Sequence, residues 1–168
     1  MQKKLIYLLL LAILLVMMLY FIERPVLIIE EVKGDRIIYQ SLVEQGQEFA
    51  IKYTHSVENT PVWDYFKVAG TEIILTGTKY MSYGAGLPFL KKDDYSLEDD
   101  KFIIEEINKR LNEIPLRVSD YAKHKLLING ENYRLYSLTT AQNLVMIKVE
   151  IKKLYEFLAW RVKDGRAG

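Results

Sequence analysis

Val26-Leu27-Ile28-Ile29-Glu30-Glu31-Val32, then Lys33-Gly34-Asp35, then Arg36-Ile37-Ile38-Tyr39-Gln40-Ser41-Leu42-Val43 is the stretch whose reading decides the fold. β-Branched and aromatic residues fill both flanks, a composition suited to a pleated, partly buried surface. Gly34 and Asp35 supply turn chemistry between them. The stretch therefore reads as two strands, 26–32 and 36–43, joined by a tight turn. The same signature continues downstream. Residues 48–53, 62–68, 71–80, 116–119, 125–128, 133–138 and 144–151 read as strands, with Gly77 a point of interruption in the fifth. Gln45-Gly46-Gln47 and Asn129-Gly130 read as turns, the latter a strong hairpin signal. Residues 102–111 fit a helix through Ile103, Ile107 and Leu111, or a short strand at 102–104 followed by an irregular turn; the strand is preferred. About nine or ten strands with short connections and no regular strand–helix alternation predict a mainly β protein, an antiparallel sandwich or barrel.

The apolar excess of the chain lies at its start. The 168 residues are 50% hydrophobic and 27% charged. Residues 5–22 carry no charge, and as a helix they extend roughly 27 Å at about 1.5 Å per residue. That approaches the hydrocarbon thickness of a bilayer, about 30 Å. Tyr20 and Phe21 lie where an aromatic belt sits, and Lys3 and Lys4 precede the run. A cleaved leader needs a shorter apolar region and a small-residue cleavage site. A lipoprotein leader needs a cysteine, and a buried core helix rarely lacks charge for so long. Residues 1–24 are thus expected to be an uncleaved signal anchor crossing the cell membrane once. The positive-inside rule puts the N-terminus in the cytoplasm and residues 25–151, a β-domain, outside it. Residues 152–168 form a C-terminal amphipathic helix and tail. Leu154, Phe157, Leu158 and Val162 share one face, so the helix packs on the sheet or lies on the membrane with Trp160 at the interface.

Charge and cysteine content exclude several functions. Without Lys3 and Lys4 the chain has 21 basic and 22 acidic residues, so no basic excess exists to hold nucleic acid. The absence of cysteine rules out disulfides, thiol nucleophiles and thiolate metal sites. The acidic segment 91–101 lacks the ligand spacing of a calcium loop and reads as a solvated loop.

Two stretches hold polar and backbone-special residues beyond what strands and turns require. The first is Tyr53-Thr54-His55-Ser56-Val57-Glu58-Asn59-Thr60-Pro61-Val62-Trp63. Pro61 confines Thr60 to extended backbone, and Asn59 and Thr60 favour local turns, so 56–61 reads as a rigid loop between strands. Adjacent His55 and Ser56 suggest half a hydrolase, but neighbouring strand residues point to opposite faces. A triad would need a remote serine with Glu58 or Asp64. A metal site would rest on His55, His124, Glu58 and Asp64, with nothing in the spacing to demand it. The second stretch is Tyr83-Gly84-Ala85-Gly86-Leu87-Pro88. Gly84 and Gly86 permit positive φ, and Pro88 stiffens the exit. No phosphate-binding pattern accompanies them. Either this is a structural turn on which the His55 loop packs, or the two loops form a binding lip. The lip comprises His55, Ser56, Glu58, Asn59, Thr60, Pro61, Tyr83, Gly84, Gly86 and Pro88. No cofactor and no complete catalytic set are expected.

With its His55-Ser56-Val57-Glu58-Asn59-Thr60-Pro61-Val62 and Tyr83 to Pro88 segments, the chain resembles the bacterial domain-of-unknown-function family numbered 1850. The resemblance covers roughly 26–151. It implies a small protein associated with tripartite ATP-independent periplasmic (TRAP) transporters of the TAXI type, with the permease or the solute-binding subunit as partner. It implies no catalytic residues. The expected role is a membrane-anchored extracytoplasmic accessory or binding protein. An extracytoplasmic hydrolase or metal-dependent enzyme using the His55 region, and a purely structural envelope protein, are the alternatives.

Overall fold

The computed structural model of the chain describes residues 2–81, 96–98, 101–105 and 107–164, leaving aside the side chains at 2, 19, 97, 98, 101 and 164. Helix α1 (Gln2–Phe21) leads directly into strand β1 (Glu23–Glu31). There follow β2 (Ile37–Leu42), β3 (Glu48–Thr54), β4 (Pro61–Ala69) and β5 (Glu72–Tyr80). After these come β6 (Ser96–Glu98), β7 (Lys101–Ile104), β8 (Lys109–Leu111), β9 (Glu113–Arg117), β10 (Lys125–Ile128) and β11 (Glu131–Arg134). A 3₁₀ turn (Leu135–Ser137), β12 (Leu144–Lys153) and helix α2 (Leu154–Asp164) follow.

Among the described residues the strands form two antiparallel sheets, and neither closes into a barrel. The smaller has the order β2-β1-β12-β9. The larger runs β11-β10-β3-β4-β5-β7-β6, with β8 also paired to β5. Leu27, Ile29, Val145, Ile147 and Val149 of the first sheet share one buried cluster with Phe49, Ile51, Phe66, Val68, Ile73, Leu126 and Ile128 of the second. The arrangement is sandwich-like, and each fully buried aliphatic side chain contributes about 1.5–3 kcal/mol.

Val26, Leu27, Ile28 and Ile29 are all fully buried, although successive strand residues face opposite ways. The second face explains it. Val26 and Ile28 pack against Phe157 of α2, with Leu154 and Ile37 beside them. Of the two positions predicted for the terminal helix, the structure thus shows packing on the sheet. Tyr155, Leu158 and Val162 stay exposed.

Twelve strands are present among the described residues, against nine or ten expected. The differences trace to strand pairing and to one turn. Glu23, Arg24 and Pro25, predicted as the flank of the anchor, belong to β1 because Glu23 pairs with Lys153 and Pro25 with Ile151. The predicted strand 133–138 ends at Arg134, and Leu135–Ser137 turns back so that Leu135 N–H donates to the His124 carbonyl (3.0 Å). Ser96–Glu98 and Lys109–Leu111, too short to show alternation, are strands because they pair with β7 and β5. The predicted hairpin turn holds, with Asn129 at φ 54° and Gly130 at φ 79°, the positive pair a type I′ turn needs. Pro115 lies in β9, an edge strand, where its missing N–H breaks no ladder.

α1 is apolar on all sides, and its side chains from Leu5 to Met18 are exposed, as is Phe21 at 71%. Its 20 residues span about 30 Å. Among the described residues no helix is long and apolar enough to cross a membrane.

β5 changes partners at Gly77. Residues 73–75 pair with β8 and residues 78–80 with β7. A bulge against β4 sits at the same place, where Tyr65 pairs with Gly77 and Phe66 with Leu75. A Cβ on Gly77 would lie 2.7 Å from the Ile104 carbonyl oxygen, so the close approach of β7 requires glycine. Gly77→Ala is expected to lower stability by about 1–3 kcal/mol through this overpacking. Urea unfolding of the full chain in detergent checks it, with Gly70→Ala, whose Cβ meets nothing within 4 Å but whose φ is +67°, as the purely conformational control.

Candidate functional site

The His55 loop joins β3 to β4 and is closed by its own backbone. His55 N–H donates to the Thr60 carbonyl (2.8 Å), and Asn59 N–H donates to the His55 carbonyl (3.0 Å). Asn59 takes φ 55°, the left-handed region that Asn tolerates. The ladder resumes at Thr54↔Pro61. His55 Nδ1 accepts the Glu58 N–H at 3.3 Å, so the neutral ring carries its proton on Nε2. The connection thus satisfies much of its polarity locally, which gives a rigid, exposed tip at Ser56 and Val57.

A second turn, 119–124, buttresses this loop. Thr54 N–H donates to the Ala122 carbonyl (2.7 Å). Tyr121 Oη donates to Asn59 Oδ1 and lies 3.4 Å from the Ser56 carbonyl oxygen. The turn is held by Ser119, whose Oγ accepts the N–H groups of Tyr121 (3.1 Å) and Ala122 (3.3 Å). Ser119 N–H in turn donates to His124 Nδ1 (3.2 Å). His124 is buried and stacks on Tyr53 at 5.5 Å, and burial holds its pKa below the usual value. It is therefore a structural imidazole linking the turn to β3.

The predicted site residues divide into two groups. His55, Ser56, Glu58, Asn59, Thr60 and Pro61 do come together on one loop. Tyr83, Gly84, Gly86 and Pro88 lie outside the described residues. The partner the structure does show, Tyr121 with the Ser119–His124 turn, was missed by sequence reading. Its signal was present as Ser119-Asp120, a turn-forming pair between two strands.

Asp64 sits apart from His55 in its bonding. Thr78 Oγ1 donates to its Oδ1 at 2.7 Å, and Tyr53 is its second partner. Burial raises the Asp64 carboxyl above the usual range, against the lowering effect of both hydrogen bonds. Burial, and then the neighbouring Asp64 charge, push the Tyr53 hydroxyl up in turn. Among the described residues no hydrogen bond joins His55 to Ser56 or Asp64, and no three His, Asp or Glu side chains are grouped to hold a metal ion. The geometry presents a braced surface, with Val57 (62%) and Tyr121 (56%) as its exposed apolar contacts. Beside it Lys52 Nζ lies 4.7 Å from the centre of the Trp63 ring.

A family model described as "Domain of unknown function (DUF1850)" matches residues 49–135. Its span holds the His55 loop and the 119–124 turn. No curated protein and no solved structure matches the chain.

Because the folded pKa of His124 lies below its usual 6.5, the unfolded chain takes up its proton first as pH falls. Stability from this residue is present above that value and is lost as pH drops through it toward the folded pKa. Denaturant titrations between about pH 7.5 and 5 should show this slope in the wild type. His124→Phe keeps a ring on Tyr53 but loses the acceptor for Ser119. It is expected to cost about 1 kcal/mol at neutral pH and to flatten the slope.

Proposed function

The chain belongs to the DUF1850 family, and on that premise we propose that it is a membrane-tethered, non-enzymatic binding module acting outside the cytoplasm as an accessory to a solute transporter. The observation that carries the tether is α1. It is apolar around its whole circumference and joins β1 through the single residue Ile22. Its side chains from Leu5 to Met18 lie open, and exposed apolar area on that scale calls for lipid. Helix formation satisfies its backbone polar groups internally, as a bilayer demands. Lys3 and Lys4 favour a cytoplasmic N-terminus, which directs the β-domain outward.

The binding surface proposed is the tip of the His55 loop with Tyr121. Preformed loops lose little entropy on association, so even a small contact of this kind binds usefully. The partner proposed is the permease or the solute-binding subunit of a TAXI-type TRAP transporter, as the family resemblance of the His55 and Tyr83 segments implies. A hydrolase built on His55, Ser56, Glu58 and Asp64 draws no support from the hydrogen bonds, which direct His55 into its own loop and Asp64 to Thr78.

Affinity capture of the full chain from membranes of its native host tests this reading. A transporter subunit should be recovered, and Val57→Asp should lower recovery about tenfold, the scale of one lost interface contact. The melting temperature should stay unchanged, since Val57 is exposed. Recovery of no transport subunit, or recovery indifferent to Val57→Asp, overturns the proposal. Carbonate washing that releases the protein from membranes overturns the tether.

A further inference from the structure

A cavity of about 460 Å³ opens where edge strand β2 of the smaller sheet, edge strand β11 of the larger and helix α2 meet. Its size falls in the ordinary range for small-molecule sites, about 300–1,000 Å³. Tyr39 and Tyr133 close the seam between the sheets with ring centres 4.7 Å apart. Phe157 and Trp160 of α2 form the opposite wall. The Leu138 side is fixed, because Arg36 Nη2 donates to the Leu138 carbonyl (3.1 Å) while Arg36 also pairs with Glu31.

Two features of the wall point to a ligand. The first is Gln40. It lines the cavity and is 7% exposed, and its Oε1, itself enclosed, has no hydrogen-bond partner among the described residues. A buried acceptor left unpaired is a standing penalty, and such groups are rare without a functional reason. Gln40 stands opposite Ile28 in the ladder, on the face that α2 covers, where an apolar residue would pack better. The second is charge. Arg134 and Arg161 line the cavity, and no Asp or Glu among the described residues does. Neither arginine is ion-paired among the described residues.

We infer that this cavity is a binding site for a hydroxylated monocarboxylate with an apolar body. Arg134 and Arg161 would take the carboxylate through charge-assisted hydrogen bonds. The aromatic walls would take the apolar body. Gln40 would bond the hydroxyl, a group that both donates and accepts and so suits either orientation of the amide. Bonding the hydroxyl would turn the Gln40 amide about its terminal torsion, which is broad in glutamine. The chemistry has two sources, a free small organic acid or a hydroxylated acyl chain drawn from the membrane beside α1. The site lies on other elements than the His55 loop and stands independently of the transporter partner.

The test uses the full chain in phosphatidylcholine nanodiscs with Trp63→Phe, which leaves Trp160 as the sole indole of the two. Empty nanodiscs serve as blank. Phenyllactate or 3-hydroxydecanoate should shift Trp160 emission saturably, and whichever binds more tightly identifies the source. The neutral analogue 3-phenyl-1,2-propanediol should bind about tenfold more weakly, as should phenyllactate to Arg161→Ala. Gln40→Leu should erase the preference for phenyllactate over 3-phenylpropionate. It should also raise the melting temperature by about 2–4 °C, because the orphaned acceptor is gone. The inference is overturned if neither acid saturates, if the neutral diol binds as well as phenyllactate, or if the hydroxyl preference survives Gln40→Leu.

Discussion

The pairing of β1 with β12 is the constraint on which the rest depends. Consecutive positions align from Glu23↔Lys153 to Glu31↔Val145, joining segments more than a hundred residues apart. The pair forms the middle of the smaller sheet, so β2 and β9 can exist only against it. Its inner face supplies Leu27, Ile29, Val145, Ile147 and Val149 to the shared core. Its outer face supplies Val26 and Ile28 to Phe157. It also brings both helices to one end. Leu154 N–H donates to the Ile22 carbonyl (2.8 Å), and Tyr20 stacks on Tyr155 with ring centres 5.4 Å apart. Loop closure on that scale is entropically expensive and slow. The register is well specified because a shift by one residue would exchange the two apolar faces, one matched to a sheet and the other to a helix.

The larger sheet depends on this pair for its cover and on glycine for its reach. β5 serves two short partners in succession, and the missing Cβ at Gly77 is what allows β7 to come close. On the opposite side β3 carries β10, and the two strands carry the two connections that form the candidate surface. The His55 loop continues β3, and the 119–124 turn precedes β10. Because β3 and β10 are hydrogen-bonded neighbours, the loops meet. The site is thus a by-product of strand order, and its rigidity comes from Ser119, Asn59 and Tyr121.

What the sequence made legible was local. The strands around 26–43, 48–53, 62–68 and 144–151 show composition and turn chemistry that few other structures accommodate, and Asn129-Gly130 specifies its own hairpin. The His55 loop was legible for the same reason, through Pro61 and Asn59. What escaped was set by distant partners. Glu23 to Pro25 carry no strand signal of their own and extend because Lys153 to Ile151 lie alongside. Lys109 and Arg110 offer no apolar alternation, and Lys109–Leu111 is a strand only because Ile73 to Leu75 present an edge. Tyr121 became part of the site through a contact 62 positions away along the chain. Gln40 looked like an ordinary strand residue until the helix that buries it was in place.

The single-residue junction at Ile22 has a mechanical consequence. A domain on a flexible tether samples a hemisphere above its anchor, and its effective concentration at a fixed target falls with tether length. Here the first strand starts where the helix stops, and α2 is stapled across the joint. If α1 spans the bilayer, the domain has almost no swing radius and keeps one height and one tilt. Its search for a partner is then a two-dimensional diffusion at constant altitude. Only proteins that present a matching surface at that distance from the lipid are met, so the length of the joint acts as a selectivity filter before any side chain makes contact.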